Sequence, residues 1–257
     1  MTKMLLSLIV PIYNEATHLE KFLGVIDTVD LGSDVERELV FIDDASKDES
    51  LSILRAFSFT SPRVKILNQP INQGKGAALQ RGIEEASGNW ILVQDADFEY
   101  DPDDIKTLLA LTLTGKADVV FGSRFKKSGT QVHRSFHYLV NRILTMLSNA
   151  LSGLYLTDME TCYKLFRADI IQNVVLESRR FGFEPEVTAK IARLKLRVHE
   201  VGISYFPRNY MEGKKITWKD GVAALWHLFY FNVFADKSAF FRPSMPTHYI
   251  PQSSQLL

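Results

Sequence analysis

The sequence has a single cysteine, Cys162, in 257 residues. One thiol excludes a disulfide framework and a cysteine zinc site, and it makes a reducing, cytoplasmic setting the default expectation. Neither charge is in surplus, since 30 basic and 30 acidic residues cancel. That balance argues against bulk binding to nucleic acid and leaves only local basic patches open. No stretch offers the roughly 20 uninterrupted apolar residues that span a bilayer. Residues 138–156 come nearest but contain Asn141, Arg142 and Asn149, while residues 221–235 are short and contain His227 and Asn232. The apolar run at 5–10 leads into Pro11 and Asn14-Glu15, not a small-residue cleavage site, so it reads as a buried first strand and not a leader. Internal repeats and low-complexity blocks are absent from the sequence.

What is present is a 46% hydrophobic chain with enough apolar residues for a core without staples. Apolar, β-branched runs at 5–10, 39–42, 64–67, 90–93 and 119–121 predict buried parallel strands. Helical patterns lie between them, such as the stripe Leu19, Phe22, Leu23, Ile26, and a helix start capped by Ser46 with Asp48 and Glu49. The alternation predicts an α/β fold of right-handed βαβ units around a mostly parallel sheet. In the second half, Leu139, Ile143, Leu147, Leu151 and Leu154 predict a long amphipathic helix; 164–167 reads as a short strand, 186–194 as a helix and 198–206 as a strand. From about Asp236 onward, Pro243, Pro246, Pro251 and a polar ending predict a loose tail, so the expected organisation is one domain over 1–235 and a flexible 236–257.

Ligands of such sheets bind beyond the carboxyl ends of the strands. The polar residues there are Asn14-Glu15, Asp43-Asp44, Asp95-Ala96-Asp97 and Ser123-Arg124, which makes four scattered positions one candidate site. If the chain turns at Ala96, Asp95 and Asp97 face one ion. Two unneutralised carboxylates a few ångströms apart repel by roughly 4 kcal/mol at an effective dielectric near 20. Mg²⁺ or Mn²⁺ removes that repulsion and leaves coordination positions for phosphate oxygens, with Glu99 as a further oxygen ligand. The competing reading is acidic capping of a helix after 101–104. Asp43-Asp44 reads either as a turn and cap or as acceptors for a base N–H or a ribose hydroxyl. The stretch 72–79 contains Gly74-Lys75-Gly76 but lacks the third glycine of the dinucleotide fingerprint and the Gly-Lys-Ser/Thr of a P-loop. Its glycines are expected to let the next helix start close to the sheet, with Lys75 as a counter-charge. Arg124 suits a bidentate phosphate contact or a structural ion pair. Residues 208–215 form a basic, glycine-containing segment, readable as a solvated loop or as a mobile cationic lid that closes on diphosphate.

The ordered set Val10-Pro11-Ile12-Tyr13-Asn14-Glu15, Phe41-Ile42-Asp43-Asp44-Ala45-Ser46, Gly74-Lys75-Gly76, Gln94-Asp95-Ala96-Asp97 and Gly122-Ser123-Arg124 resembles glycosyltransferase family 2. Residues 157–164 and 208–214 narrow the resemblance to its polyprenyl-phosphate branch, the dolichol-phosphate mannose and glucose synthases, over roughly 5–235. The resemblance implies a GT-A fold and an inverting transfer of a hexose from a nucleotide-sugar, a UDP- or GDP-hexose, to a polyprenyl phosphate. It implies that Pro11, Tyr13, Glu15, Ile42 and Asp44 cradle the nucleotide, with Asp43 as the adjacent alternative. Asp95, Ala96 and Asp97 would meet diphosphate and metal, with Glu99 where relatives often have glutamine, and Arg124, Arg208 and Lys214 would contact phosphate groups. An acceptor phosphate is already an anion and needs positioning, for instance by Arg124 with Arg134. A saccharide or other hydroxyl acceptor would need a general base, for which Asp158 is the candidate, although Asp158 also reads as a buried structural carboxylate. A non-catalytic nucleotide-sugar-binding subunit is the third reading. The membrane helices that many bacterial relatives append do not occur in this sequence. Contact with a membrane would come from the amphipathic stretch 138–156 and from Trp226, Phe229, Tyr230, Phe231 and Phe234, or from a membrane partner subunit; ordinary core packing is the alternative use of these stripes.

Overall fold

The computed structural model describes residues 3–127, 135–207 and 218–251, without the side chains of 135–137 and 218–220. Its strands are β1 (Met4–Ile12), β2 (Val35–Asp43), β3 (Val64–Asn68), β4 (Trp90–Val93), β5 (Val119–Ser123), β6 (Lys164–Arg167) and β7 (Val198–Gly202). They form one seven-stranded sheet in the order β3-β2-β1-β4-β6-β5-β7. Pairs β1·β2, β1·β4, β2·β3 and β5·β7 are parallel, whereas β6 runs antiparallel to both β4 and β5. This is the mostly parallel, helix-flanked α/β architecture that the alternating pattern predicts. The first five strands fall where the apolar runs place them. Strands β1, β2 and β4 are covered on both faces, with Leu8, Ile9, Val10, Val40, Phe41, Leu92 and Val93 fully buried. Strand β3, expected to be buried, is instead a half-buried edge strand.

The helices are α1 (Ala16–Thr28), α2 (Ser50–Ala56), α3 (Lys75–Glu85), α4 (Ile105–Leu113), α5 (Ser135–Ser152), α6 (Ala168–Ile171), α7 (Phe183–Ile191) and α8 (Trp218–Phe229). Helix α1 buries the predicted stripe Leu19, Phe22, Leu23 and Ile26, each side chain contributing about 1.5–3 kcal/mol. The expected cap at Ser46 is not formed. Helix α2 starts at Ser50, whose N–H is accepted by Asp48 Oδ1 at 3.0 Å, and Ser46 Oγ instead accepts from the N–H of Asn14. Helix α3 lies close on β1 and β2 because Gly82 has no Cβ; one placed there would strike the side chains of Ile9 and Ile42.

The antiparallel β6 is the feature that shapes the second half. Because it runs against its neighbours, the loop before it, not the loop after it, emerges at the carboxyl rim of the sheet. Residues 157–163 therefore join the four strand-end clusters. Helices α5, α7 and α8 pack together over this half, and α8 continues into a π-helical turn at Tyr230–Phe234. Leu139, Ile143 and Met146 of α5 and Val222 and Trp226 of α8 remain exposed. Among the described residues no helix is long and apolar enough to cross a membrane.

The loose tail expected from Asp236 is replaced, through residue 251, by a packed strap. Phe240, Met245 and Tyr249 are buried. The strap is tied down by backbone bonds from Val175 N to Phe240 O (2.9 Å), Arg242 N to Asn173 O (2.8 Å) and Lys195 N to Tyr249 O (2.7 Å). Three widely spaced apolar side chains, with prolines between them, dock without any helical or strand periodicity, which is why the sequence pattern gives no sign of it.

Candidate active site

The carboxyl rim is strained. Asn14, Ala45 and Phe98 are the described non-glycine residues with positive φ, at 53°, 55° and 57°, and they follow β1, β2 and β4 respectively. Each left-handed residue costs on the order of 1–2 kcal/mol, and such strain gathers where a chain must present groups to a ligand. The loops after β1 and β2 are laced together: Lys47 N donates to Asn14 Oδ1 (2.7 Å), Glu15 N to Ser50 Oγ (2.8 Å) and Ala16 N to Asp48 Oδ2 (3.0 Å). Pro11 lies opposite Ile42 in the β1–β2 register, and Tyr13 and Glu15 stand half-buried on the loop that follows. The side chain of Ile42 is fully buried and packs toward Gly82.

The two adjacent aspartates do different work. The carboxylate of Asp44 accepts from Gln69 Nε2 (2.9 Å), Asn72 Nδ2 (2.9 Å), Gln73 N (2.8 Å) and Gly74 N (2.7 Å), so it organises the 69–74 loop. Asp43 accepts from Ser46 N through Oδ2 at 3.2 Å, and its buried Oδ1 has no partner among the described residues. A buried acceptor without a donor is costly, and native structures keep one chiefly where a ligand or water completes it. Of the pair, Asp43 is the one with an oxygen available.

Asp95 meets Lys75, whose Nζ lies 2.9 Å from Oδ1 and 3.0 Å from Oδ2, and the same ammonium reaches Glu184 Oε1 at 3.4 Å. Burial opposes the charge on Lys75, but Asp95 foremost and Glu184 with it hold its pKa well above the ordinary lysine value. Lys75 is thus an established counter-charge. The glycines beside it serve a purpose other than approach to the sheet. The N–H groups of Gly76 and Ala77 donate to the carbonyls of Arg180 (3.2 Å) and Arg179 (3.0 Å), and a Cβ at Gly76 would collide with the carbonyl of Ser178. They let the 178–180 backbone dock on the first turn of α3, which brings α7 and its Glu184 to the rim.

Asp97 Oδ1 accepts from Glu99 N at 3.1 Å, and Glu99 Oε2 accepts from Tyr205 OH at 2.7 Å. Among the described residues, no three acidic, histidine or cysteine side chains form a ready metal cluster, so Asp95, Asp97 and Glu99 are not brought together as a preformed ligand triad. Asp95 is drawn toward Lys75 and Glu99 toward Tyr205. The donors are all hard oxygens, which fits Mg²⁺ or Mn²⁺ held by one or two carboxylates and completed by substrate phosphates, and not an ion caged by protein alone.

Arg124 and Asp158 form a buried fork-to-fork pair. Nε and Nη2 of Arg124 each lie 2.7 Å from a carboxylate oxygen, and the Arg124 N–H donates to Oδ2 at 3.0 Å. Both residues are almost completely buried. Burial opposes the guanidinium charge, and Asp158 more than offsets this, so the pKa of Arg124 is well above its ordinary value. Removing one partner of such a pair costs about 3–5 kcal/mol. The Asp158 loop is held from β7, where Glu200 Oε1 accepts from Thr157 N (2.8 Å) and Asp158 N (3.1 Å). Arg124 therefore has the structural ion pair that its sequence left open, and Asp158 is a buried anchor with both oxygens engaged. Arg134, Arg208 and Lys214 lie outside the described residues.

Three residues that the sequence did not single out complete this side. Glu184 is one. Glu160 is the second: its buried Oε1 has no described partner, and burial first, then the charge of Glu184, raise its carboxyl to about 7 against opposing pulls from Lys164 and Arg124. Tyr205 is the third, in a ring cluster with Tyr100 (5.4 Å), which itself stacks on Tyr163 at 4.9 Å. Glu160 sat inside the segment 157–164 that carries the resemblance, which was a usable signal. Tyr205 sat in a strand-like apolar stretch, which was none.

The mostly parallel, helix-flanked sheet with its reversed β6 is the GT-A fold of the glycosyltransferases it aligns with. The glycosyl transferase family 2 model matches residues 7–175, and the chain belongs to that family. A dolichyl-phosphate beta-glucosyltransferase of Trichomonas vaginalis is 29% identical over 228 residues, covering 82% of this chain and 67% of its own. An undecaprenyl-phosphate mannosyltransferase of Micrococcus luteus is 29% identical over 214 residues, covering 80% of this chain and 85% of its own. Among solved structures, glucosyl-3-phosphoglycerate synthase of Mycobacterium tuberculosis with Mn²⁺, UDP and phosphoglyceric acid aligns with a TM-score of 0.67 at 19% identity, over 91% of this chain and 80% of that one. The same enzyme with UDP alone gives 0.68 at 20% identity, over 91% and 82%.

Proposed function

We propose that this glycosyltransferase moves a hexose, with inversion, from a UDP- or GDP-hexose to a polyprenyl phosphate at a membrane surface. The observation that carries the acceptor class is where the apolar surface begins. Helix α5 leaves the rim next to Arg124, with Tyr138 edge-on to Phe125 at 5.2 Å, and runs on through exposed Leu139, Ile143 and Met146, flanked by α8. A lipid chain lying on these faces would bring its phosphate to the rim. The names of the two curated relatives, which act on dolichyl and undecaprenyl phosphate, support the same reading. The placement is then cytoplasmic and peripheral, through these faces or through a membrane partner subunit.

In this reading Asp43 Oδ1 accepts a base N–H, while Pro11, Tyr13, Glu15 and the backbone of Ile42 wall the nucleotide. Asp44 acts one step back by fixing the 69–74 loop. Asp95 and Asp97 face the diphosphate, with Ala96 small enough between them for its close approach. Asp95 and Asp97, with Glu99, would hold a divalent ion, which would supply charge stabilisation for a departing nucleoside diphosphate. Lys75 pairs with Asp95 and orients it, and Arg208 and Lys214 add positive charge to the leaving group. Arg124, locked by Asp158, holds a fixed cationic face toward the acceptor phosphate, which needs no deprotonation.

One observation favours a hydroxyl acceptor as the second reading. Both oxygens of Asp158 are engaged by Arg124, whereas Glu160 has an open oxygen and the near-neutral pKa that a general base needs. The deciding experiment incubates the protein and Mn²⁺ with UDP- and GDP-hexoses, with a polyprenyl phosphate or with saccharide acceptors. A lipid-linked hexose from one donor is expected. Product on saccharides alone, lost in Glu160→Gln, would replace the leading reading with the second.

A further inference from the structure

The acceptors at the tip of β2 can be followed one by one. Asp44 is full: Oδ1 accepts from Gln69 Nε2 and Gln73 N, and Oδ2 accepts from Asn72 Nδ2 and Gly74 N, as many donors as each oxygen holds. The amide oxygen of Gln69 is taken as well, by Gln73 Nε2 at 2.8 Å. Asp43 differs. Its side chain is fully buried, Oδ2 faces Ser46 N at 3.2 Å, and Oδ1 has no partner among the described residues. The backbone that carries it is held on both sides, opposite Ile12 in β1 and Asn68 in β3, and Gln69 N donates to Asp43 O at 2.9 Å. The pair of aspartates therefore offers a ligand one wholly open oxygen, on a fixed strand end.

Nucleobases differ in what they bring to such an oxygen. The hydrogen-bonding edge of guanine presents two neighbouring donors, N1–H and N2–H, and suits a carboxylate whose two oxygens both face outward. Uracil presents a single donor, N3–H, between two carbonyls. At Asp43 the Ser46 backbone stands against Oδ2, so a two-donor edge cannot lie along both oxygens, and a buried donor left unmet is costly. We propose that the one open oxygen of Asp43 selects a uridine donor over a guanosine one, by accepting the N3–H of uracil. The inference rests on the donor-binding reading of the rim and chooses between the two bases that this reading leaves open.

The test is calorimetry of the full chain with Mn²⁺ and, in turn, UDP, GDP, CDP and N3-methyl-UDP. UDP is expected to bind at least about tenfold more tightly than GDP or N3-methyl-UDP, because a site built around a hydrogen bond rejects a ligand that cannot make it. The near-isosteric Asp43→Asn supplies a second measurement. Ser46 N still requires an oxygen, so the new amide nitrogen falls where Oδ1 was and presents a donor in place of an acceptor. Cytosine has a lone pair at N3 where uracil has a hydrogen. The ratio of UDP to CDP affinity should therefore fall at least about tenfold in Asp43→Asn. GDP or N3-methyl-UDP bound within twofold of UDP, or a UDP to CDP ratio unchanged by Asp43→Asn, would each overturn the proposal. The comparisons with GDP and N3-methyl-UDP need only wild type, so they decide the matter even if the variant fails to fold. Wild type that binds none of the four nucleotides with Mn²⁺ would sink the donor reading of the rim, and this inference with it.

Discussion

Along the carboxyl rim of the sheet, three non-glycine residues hold left-handed backbone, and Asp43 and Glu160 each keep a buried oxygen without a described partner. The amino rim is as polar but closed. Asp118 takes a bidentate grip from Arg197 at 2.9 and 2.7 Å and a third bond from the Arg197 N–H at 3.0 Å. Glu38 accepts from Ser7 Oγ (2.5 Å) and Ser87 N (2.7 Å) and pairs with Lys65 at 3.1 Å. A cleft of about 400 Å³ on this rim is lined by Asp118, Arg167, Lys195, Arg197 and Tyr249, but its arginines already pair with Asp118 and Asp169. The same residue types thus serve opposite ends. Where every acceptor has its donor, charge is architecture; where strain and open acceptors persist, charge is held ready for something the chain does not itself contain.

Substitutions at the two ends should therefore separate activity from stability. The largest effect is expected for Asp97→Ala, which should lower kcat/KM on the order of 10²–10³-fold, as the loss of one preorganised electrostatic group does, while its melting temperature moves little. A steady-state assay beside a thermal melt checks this, and a large drop in melting temperature would place Asp97 with the structural carboxylates. Next comes Glu160→Gln, read by pH. The folded pKa of Glu160, about 7, lies above its ordinary 4.5. Proton binding therefore favours the folded state below that ordinary value, and this contribution is lost as pH rises toward 7. Relative to the glutamine variant, wild type should lose at least roughly 3 °C in melting temperature between pH 4.5 and 8, the shift that about 1 kcal/mol gives in a domain of this size. Parallel curves would show that Glu160 titrates normally. The smallest effect belongs to the closed rim. Arg197 is half exposed, so Arg197→Ala should lower the melting temperature only slightly and leave nucleotide binding intact. Arg197 holds the Asp118 pKa below its usual value, so that drop should be present at pH 7 and shrink as pH falls through the carboxylate range.

The asymmetry also explains which parts of the site were legible in the sequence. The nucleotide half is built from strand-then-loop units in which the polar residues directly follow an apolar run, so Asp43, Asp95, Asp97 and Arg124 are visible from order alone. The helices announce themselves by period, as Leu19, Phe22, Leu23 and Ile26 do. What order cannot show is a choice between neighbours: Asp44 and Asp43 differ only in which donors surround them. Nor does it show groups that arrive from far along the chain. Glu184 comes to the rim because Gly76 admits the 178–180 backbone, and Asp158 does so because β6 inserts backward between β4 and β5, a pairing that periodicity does not encode. The tail misleads for a related reason, since its prolines advertise disorder while Phe240 and Tyr249 dock singly.

That docked tail fixes where the described chain ends in space. The strap crosses from Phe231 and Lys190, over which Phe240 closes, to Lys195 and the cleft beside Asp118, so it finishes at the rim farthest from the acidic loops. A tether joined after Pro251 would hang from the closed end of the sheet and leave the open end facing outward. For immobilisation, labelling or fusion this makes the strap a natural handle, and shortening it past Phe240 would uncover Lys190 and its partner Glu186, which lie beneath.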